Sequence, residues 1–194
     1  MSWRYVLSFF SYQQTSITHF LFLRSLGIIY FIAFLVFVNQ GEGLLGSNGL
    51  SPANLYLESV KESISFWDLP SIFWFYMSDS FLFWSGCFGL LLSGLVVCGL
   101  TNAIVMFILW ALYMSIIHIG QQFYGFGWET LLLETGFLAI FLCPVFDWKP
   151  FSAKIPPPTI VFILILWLLF RNMFGAGLIK LRGDAVWTDL TALV

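Results

Sequence analysis

The feature that most constrains this chain is a long stretch, from Phe81 to Ile119, that contains no Asp, Glu, Lys or Arg. A membrane-spanning helix needs about 20 mostly apolar residues, so a stretch of roughly twice that length predicts two spans. The turn between them is placed at Cys98–Asn102, and because it is short we expect the two helices to be antiparallel neighbours. Three glycines in the stretch allow close helix approach: Gly86, Gly89 and Gly94.

The composition of the whole chain agrees with a membrane location. Of its 194 residues, 60% are hydrophobic and only 9% are charged, and the mean hydropathy is +0.92. A soluble domain carries about 25% charged residues, so this chain cannot cover itself with a water-soluble surface. The net charge of −2 and the lack of a long basic run give no support to nucleic-acid binding. We expect the lipid bilayer to be its principal partner.

Further apolar segments extend the prediction to an all-α, polytopic transmembrane helix bundle with about five spans, and four to six as the limits. Residues 1–194 are predicted to form this bundle as a single transmembrane domain. The segments outside the central uncharged stretch are Phe20–Val38 for the first span, Trp128–Val145 for the fourth, and Thr159 to about Leu178 for the fifth.

The region between the first and second spans predicts a polar loop, a short helix and an aromatic segment. Gln40–Ser51 is polar and rich in glycine. Ser51 and Pro52 are typical of a helix cap and first turn, and predict a helix over Ala53–Glu62. Ser65–Met77 is rich in aromatic residues and too short to span comfortably, so it is predicted to be an interfacial or re-entrant aromatic segment.

The distribution of basic residues slightly favours a cytoplasmic N-terminus by the positive-inside rule. The loop between the first two spans would then face the lumen or periplasm. With five spans, one side of the membrane carries Arg4, Arg24, Lys149 and Lys154, and the other carries Lys61, Lys180 and Arg182.

Two carboxylates stand at the start of the predicted fourth span. Glu129 lies in the first turn, where it complements the helix dipole and is predicted to be a capping charge. Glu134 is five residues later, about 7.5 Å deeper, and is expected to face the bundle interior with a partner. Arg171 and His118 are the candidate partners. Five residues correspond to about 140° of helix rotation, so the two carboxylates do not share a face.

Lys180 and Arg171 follow the apolar part of the fifth span, and two interpretations cover them. In the first, the helix emerges into water and the basic residues mark its end. In the second, Gly175 and Gly177 allow another backbone to approach, and Lys180 points into a cavity where it can serve as a base. The candidate catalytic residues are therefore Lys180, with Glu134 or His118 assisting.

No metal or cofactor signature is present in the sequence, and neither a metal nor a cofactor is predicted. Cys87, Cys98 and Cys143 lie inside or at the edges of apolar segments and form no CxxC pair. They are predicted to be small packing residues.

Three stretches give the chain a family resemblance: SFWDLPSIFWFYMSDS, QQFYGFGWETLLLETGFLAIFL and FRNMFGAGLIKLRGDAVWTDLT. With these, the chain from about Asn39 onward resembles the membrane part of the lipase maturation factor family. The matching positions of interest are Trp128, Glu129, Glu134, Gly136, Arg171, Gly175, Gly177, Lys180, Arg182, Gly183, Asp184, Trp187 and Asp189.

The resemblance implies a multi-spanning, chaperone-like protein that assists the folding and assembly of secreted proteins such as lipases. A client lipase or another secreted protein would be its partner. The location would be the endoplasmic reticulum membrane in a eukaryote and the inner (plasma) membrane in a bacterium. Family members continue past the final match into a sizeable non-membrane domain. The chain is therefore expected to be the N-terminal part of a longer architecture.

A second, shorter resemblance concerns Lys180. The sequence AGLIK followed by Trp187 is similar to the Ala-Gly-x-x-Lys…Trp pattern of vitamin K-dependent gamma-carboxylases and related bacterial membrane proteins. It implies that Lys180 is the counterpart of the region tied to the base of that reaction. Three functions thus remain open: a non-enzymatic maturation factor, which is favoured, a membrane enzyme that uses Lys180, and an inactive truncated fragment.

Overall fold

The computed structural model describes residues 12–146, 158–183, 185–189 and 191. These residues form two compact units with the boundary between Pro157 and Pro158. The first contains α1 (Tyr12–Leu45), α2 (Ala53–Lys61), α3 (Asp79–Cys98), α4 (Ala103–Ile119) and α5 (Gly127–Ile140), with 3₁₀ helices at Ile72–Trp74 and Gln121–Tyr124. The second contains α6 (Thr159–Gly183) and α7 (Ala185–Thr188). Four residues discussed above lie outside the described residues: Arg4, Lys149, Lys154 and Asp184.

The predicted fold class, an all-helical membrane bundle, is confirmed for the part of the chain that the structure describes. Three of its helices are long and apolar enough to cross a membrane: α1 from Thr18, α3 and α6. Helix α4, with 17 residues, is apolar but shorter. Helix α5 has 14 residues. Each of the five predicted spans overlaps one of these five helices.

Helix α1 extends past its predicted end. The loop predicted over Gln40–Ser51 is wrong in its first half, because the helix continues to Leu45. Leu45 is fully buried, so packing of this side chain outweighs the low helix propensity of the nearby glycines. The chain then folds back on the last turn. The Leu50 N–H donates to the Gly43 carbonyl at 3.1 Å, and the Ser51 N–H donates to the Leu44 carbonyl at 2.8 Å.

The short helix α2 ends one residue before its predicted end and is capped differently. Pro52 is its N-cap, and no side chain caps the first turn. The predicted capping role of Ser51 is therefore wrong. Its hydroxyl bonds to Gln121 instead, at 2.6 Å. In the aromatic segment that follows, Ile72–Trp74 forms a 3₁₀ helix.

The turn between α3 and α4 lies where the sequence placed it. Gly99 ends α3 in the left-handed conformation at φ 104°, which glycine adopts without steric cost. Asn102 caps α4, because its side-chain oxygen accepts from the Val105 N–H at 2.8 Å. Helix α3 also begins at a local cap, because the Ser78 side chain accepts from the Phe81 N–H at 3.1 Å.

Helices α1 and α3 make the most extensive helix contact of the first unit. A Cβ added at Gly86 would lie 2.8 Å from the Phe37 ring, and one at Gly89 would collide with the Phe34 ring. Both glycines therefore let aromatic side chains of α1 pack directly on the α3 backbone, as predicted. A Cβ added at Gly94 would make only an ordinary contact, 3.9 Å from the Phe31 ring.

Helix α5 begins one residue earlier than predicted and ends at Ile140, five residues before the predicted end at Val145. The residue before a proline is disfavoured in helical conformation, so Pro144 limits the helix. The Pro144 carbonyl accepts from the Ala103 N–H at 2.9 Å. The segment after α5 is thereby tied to the start of α4.

In the second unit, α6 runs five residues beyond the predicted end near Leu178. Lys180 and Arg182 lie in its last turn, where positive charge complements the C-terminal end of the helix dipole. Lys180 and Arg182, which were predicted to follow the span, are therefore part of the helix.

Candidate functional site

The most elaborate surface of the first unit is at one end of the bundle, and we call it the cap. Chain connectivity brings together the C-terminal ends of α1 and α4 and the N-terminal ends of α3 and α5. Residues 46–79 and 120–128 connect these helix ends and form the cap. Function is often carried by such connecting segments on a rigid scaffold.

Aromatic side chains are exposed across the cap. Phe66 contacts three of the surrounding rings. Its ring centroid lies 5.6 Å from that of Trp67, 6.0 Å from that of Trp74 and 5.5 Å from that of Phe75. Exposed apolar patches of this kind mark sites that contact a protein or a membrane. The most exposed cap rings are Trp67 at 85%, Phe75 at 80%, Tyr76 at 63%, Phe126 at 60% and Trp128 at 51%.

The second 3₁₀ helix is joined to the α1–α2 loop by a reciprocal pair of hydrogen bonds. The Ser51 hydroxyl donates to Gln121 Oε1 at 2.6 Å, and Gln121 Nε2 donates to the Ser51 carbonyl at 3.1 Å. Gln121 has φ 50°, a left-handed conformation that costs about 1–3 kcal/mol for a residue with a side chain. The two bonds hold this strained residue in place.

The first 3₁₀ helix is tied to α4 through Ser115 and His118. The Ser71 hydroxyl donates to the Ser115 carbonyl at 3.1 Å, and the Ile72 N–H donates to the Ser115 hydroxyl at 3.1 Å. His118 Nδ1 lies 2.7 Å from the Pro70 carbonyl oxygen. A carbonyl can only accept, so Nδ1 is the donor. His118, a predicted catalytic candidate, thus holds the aromatic segment against the bundle.

Two carboxylates of the cap, the exposed Asp68 and the half-buried Asp79, are held by serines. Asp79 accepts from the Ser47 N–H at 2.8 Å and the Ser47 hydroxyl at 2.5 Å. Asp68 accepts from the Ser65 N–H at 3.0 Å and hydroxyl at 2.8 Å. These hydrogen bonds stabilise the charged form and hold the pKa of the Asp68 carboxyl below its usual value. A cavity of about 220 Å³ lies beside Asp79, lined by Ser47, Asn54, Met77, Ser78 and Asp79.

The buried carboxylate of the bundle is Glu129. It lies in the first turn of α5 as predicted, but only 2% of it is exposed, and its Oε2 has no hydrogen-bond partner among the described residues. Glu134, which was expected to face the interior, is only half-buried and takes part in an interaction of its own. Glu129, which is nearer the start of the helix, is thus more deeply buried than Glu134.

Three tyrosines surround this part of the interior. The Tyr113 hydroxyl is buried and has no hydrogen-bond partner among the described residues. Tyr124 lies in the second 3₁₀ helix, where burial raises the pKa of its phenol and the charge of Glu129 acts in the same direction. Tyr30 packs edge-on against Tyr113 at 5.8 Å and donates to the Leu132 carbonyl at 3.4 Å.

Gly136, one of the motif residues, makes room for this arrangement. A Cβ at this position would collide with the Tyr30 hydroxyl. The glycine therefore allows the phenol of α1 to reach the backbone of α5. The sequence gave no hint of this contact, because 106 positions separate the two residues.

The second unit carries Lys180 on an exposed side of α6. Its ammonium lies 4.7 Å from the centroid of the Trp187 ring, which places two motif residues in a cation–π contact. In this unit taken by itself, a Cβ at Gly175 or Gly177 would meet nothing within 4 Å. Arg171, Arg182 and Asp189 are exposed. A chemical role for Lys180 and the predicted pairing of Glu134 with Arg171 stay predictions.

Sequence reasoning missed the residues that give Glu129 its surroundings. Tyr113 and Tyr124 lie on other elements, 16 and 5 positions earlier in the chain. The available signal was a phenol in an otherwise apolar helix, because tyrosine usually finds a partner for its hydroxyl when buried. For metals, the described residues contain no group of three His, Cys, Asp or Glu side chains placed to hold an ion.

Comparisons with known proteins give one consistent result. A family model described as lipase maturation factor transmembrane domain matches residues 17–194. The chain is 44% identical to mouse lipase maturation factor 1 over 188 residues and 40% identical to the human protein over the same length, in each case covering 91% of this chain and 33% of the relative. It is 36% identical to lipase maturation factor 2 of Xenopus tropicalis over 187 residues, covering 89% of this chain and 26% of the relative. No solved structure matches.

Proposed function

Because the chain belongs to the lipase maturation factor family, we propose that it supplies the membrane part of a factor that assists the folding and assembly of secreted lipases. The observation that carries the proposal is the match of residues 17–194 to the transmembrane domain of that family. The chain spans about a third of the length of the mouse and human relatives.

The cap is the surface that would meet the client. Its exposed aromatic rings form an apolar surface that can contact a partly folded protein. They are Trp67, Phe75, Tyr76, Phe126 and Trp128. The ties through Ser51, Gln121 and His118 hold these rings on a rigid frame. A surface that is fixed in this way loses little conformational entropy when a partner binds.

The location we propose is the endoplasmic reticulum membrane in a eukaryote, or the inner membrane in a bacterium, with the cap on the lumenal or periplasmic side. The charge distribution of the sequence supports this orientation. The three long apolar helices support integration in a bilayer. A secreted client passes through the compartment that the cap would then face.

Complementation tests the function. The segment of mouse lipase maturation factor 1 that matches this chain is replaced by residues 17–194, and the chimera is expressed with a secreted lipase in cells that lack their own factor. We expect lipase activity in the medium well above that of the empty vector. A chimera that inserts in the membrane at the level of the mouse protein, but releases no active lipase, would contradict the proposal.

A glycosylation scan tests the orientation, because the chain contains no Asn-x-Ser/Thr sequon. Ser63→Asn completes a sequon with Ile64 and Ser65 in an exposed part of the cap. Pro150→Asn completes one with Phe151 and Ser152 in the connector that is predicted to face the opposite side. In microsomes we expect a glycan on the first variant only. A glycan on Pro150→Asn alone would place the cap in the cytoplasm.

Lys180 as the base of a membrane enzyme has less support. The relatives reported above carry the maturation factor name, and the structure places the Lys180 ammonium against the Trp187 ring. If the ammonium acts only as a cation, Lys180→Arg in the chimera keeps lipase secretion, since arginine also stacks on aromatic rings. Loss of secretion in a normally inserted Lys180→Arg chimera would restore the enzyme hypothesis.

A further inference from the structure

The cavity beside Asp79 is partly open to the surface of the cap, and three parts of the chain form its walls. Ser47 follows α1, Asn54 lies in α2, and Met77, Ser78 and Asp79 lead into α3. Its volume of about 220 Å³ is several times the roughly 30 Å³ that one water molecule occupies in the liquid. It is smaller than the pockets of about 300–1,000 Å³ that hold drug-sized ligands. The cavity therefore has the size for a single side chain of a partner.

The carboxylate of Asp79 gives this cavity a negative charge. The N–H and the hydroxyl of Ser47 donate to its two oxygens at 2.8 and 2.5 Å, which fixes the orientation of the carboxylate. Asp79 is also the first residue of α3, where the helix dipole favours the ionised form. Among the described residues that line the cavity none is Lys, Arg or His. A carboxylate has about four lone-pair sites, so Asp79 can accept from a further donor.

The cap as a whole is acidic. Its residues, all of which the structure describes, include four carboxylates and one ammonium, a net charge of −3. The ammonium, on Lys61, is already engaged, because it donates to the Trp74 carbonyl at 3.0 Å and lies 5.6 Å from the centroid of the Trp74 ring. A cation supplied by a partner is therefore complementary to this surface. The carboxylates are Glu58, Glu62, Asp68 and Asp79.

A basic side chain matches the cavity better than a metal ion or a lipid headgroup. The described residues contain no group of three His, Cys, Asp or Glu side chains placed to hold a metal. A lipid phosphate would be repelled by the negative cap, and surface segments that bind anionic lipids are rich in Lys and Arg instead. Met77 offers a flexible apolar wall for the methylene groups of a lysine or arginine. Tyr76, 63% exposed, directly precedes Met77 and connects the cavity to the exposed rings.

We propose that this cavity binds a lysine or arginine side chain of the client, with the cationic group on Asp79 and the methylene groups against Met77. The exposed rings of the cap contact the apolar residues on either side of that basic residue. The inference rests on the proposed client role of the cap and specifies the chemistry of the segment that the cap recognises. That segment is apolar and carries an isolated positive charge.

Binding of two matched peptides to the full chain in phosphatidylcholine nanodiscs tests the site. Both are fluorescent, blocked at both ends and rich in leucine and phenylalanine. One has a central lysine and the other has acetyl-lysine there, which keeps the chain length and removes the charge. We expect the lysine peptide to bind at least about fivefold more tightly, because even exposed ion pairs approach that value. Equal affinities, or equal binding of the lysine peptide to empty nanodiscs, would overturn the proposal, and neither comparison needs a variant.

Substitutions at two carboxylates then locate the charge that is recognised. Asp79→Asn should remove most of the preference for lysine over acetyl-lysine. Asp68→Asn is the matched control, because it makes the same change of charge on the cap, and Asp68 is exposed and lies outside the cavity. It should leave the preference nearly unchanged. An equal loss in the two variants would mean that only the overall charge of the cap attracts the peptide, which would overturn the site.

Asn54→Leu tests the cavity without changing its charge. The larger apolar side chain narrows the space, so binding of both peptides should weaken. Unchanged binding of the lysine peptide to an Asn54→Leu protein that melts like the wild type would place the lysine elsewhere and overturn the proposal.

The outcome separates this site from the proposed function. A chimera that secretes active lipase, together with no preference for the lysine peptide, would remove the site and keep the maturation role. A preference that depends on Asp79, in a chimera that secretes no lipase, would keep the site and remove that role.

Discussion

A charged side chain lies at each end of the first unit, Arg24 at one and Glu129 at the other, and the two are held in opposite ways. At the end away from the cap, Arg24 of α1 donates to the Val96 carbonyl at 2.9 Å and to the Thr101 hydroxyl at 3.2 Å. Its guanidinium also lies 4.4 Å from the Phe20 ring. At the cap end, Glu129 is more deeply buried and leaves Oε2 without a partner among the described residues.

The difference lies in what each helix end offers. Val96 is in the last turn of α3, where the carbonyl groups carry partial negative charge, and its carbonyl accepts from Arg24 as well as from the Gly99 N–H. Glu129 lies at the start of α5, where the helix dipole favours a negative charge. Backbone groups of Phe126 and of Glu129 itself bond to its carboxyl, but Oε2 has no partner among the described residues. One end is therefore closed by direct bonds, whereas the other keeps unused hydrogen-bonding capacity. Function is expected at the second end.

The largest expected effect comes from breaking the closed end. Arg24→Met removes both hydrogen bonds and leaves the end of α3 without its cation. Hydrogen bonds to charged groups contribute about 1.5–3 kcal/mol, so we expect the free energy of unfolding to fall by about 2–3 kcal/mol. Thermal unfolding in detergent measures it. Arg24→Lys is the control, with a smaller loss, and an Arg24→Met protein as stable as the wild type would remove the contrast between the ends.

At the cap end, Ser51→Ala should have a smaller effect. It removes the bond from the Ser51 hydroxyl to Gln121 Oε1 and keeps the bond to the Ser51 carbonyl. A neutral hydrogen bond contributes about 1 kcal/mol, and the loss should be of that size. Thr101→Val is the matched variant at the other end. If Ser51→Ala proves more damaging than Arg24→Met, the cap rather than the closed end stabilises the unit.

Glu129→Gln should cost less than about 1 kcal/mol, because the amide has the same shape and no direct partner of Oε2 is lost. The expected result is a melting temperature close to that of the wild type. The loss of stability should therefore be smaller than is usual when a buried charged residue is replaced. A loss comparable to that of Arg24→Met would mean that Glu129 acts as a paired anion. In that case the two ends would be alike.

These variants probe features that differ in how far the sequence predicts them. The helices follow from apolar runs, and the turn at Cys98–Asn102 was predicted correctly from the length of the uncharged stretch. The end of α1 was not, because Gln40–Gly43 has the composition of a loop, and only burial of Leu45 makes it helical. Local composition cannot report a packing partner.

The candidate site shows the same limit more clearly. Spacing along α5 predicts how far Glu129 and Glu134 lie from the helix start. It does not predict which other parts of the chain pack against each of these positions. Glu129 is buried, and Tyr124 on the second 3₁₀ helix is close enough to interact with its charge. Gly136 and Tyr30 meet for a similarly non-local reason. Family motifs identified Glu129 and Gly136 as residues of interest, and the fold supplied the reason.

The smallest expected effect concerns Asp68 on the exposed side of the cap. Hydrogen bonds from Ser65 lower the pKa of its carboxyl in the folded chain. Their contribution to stability is therefore present above the pKa of the unfolded chain, about 3.9, and is lost as the pH falls through the lower folded value.

Hydrogen exchange of the Ser65 amide reports this loss directly, because that N–H donates to Asp68 Oδ2 at 3.0 Å. Once corrected for the intrinsic dependence of exchange on pH, its protection should be constant near neutral pH and fall in acid, while the melting temperature changes little. Asp68→Asn should weaken the protection at every pH. If protection instead persists in acid, the backbone of the aromatic segment holds itself without the carboxylate. The contrast between the ends of the bundle would then rest on Arg24 and Glu129 alone, since Asp68 is exposed to solvent whereas Glu129 is buried.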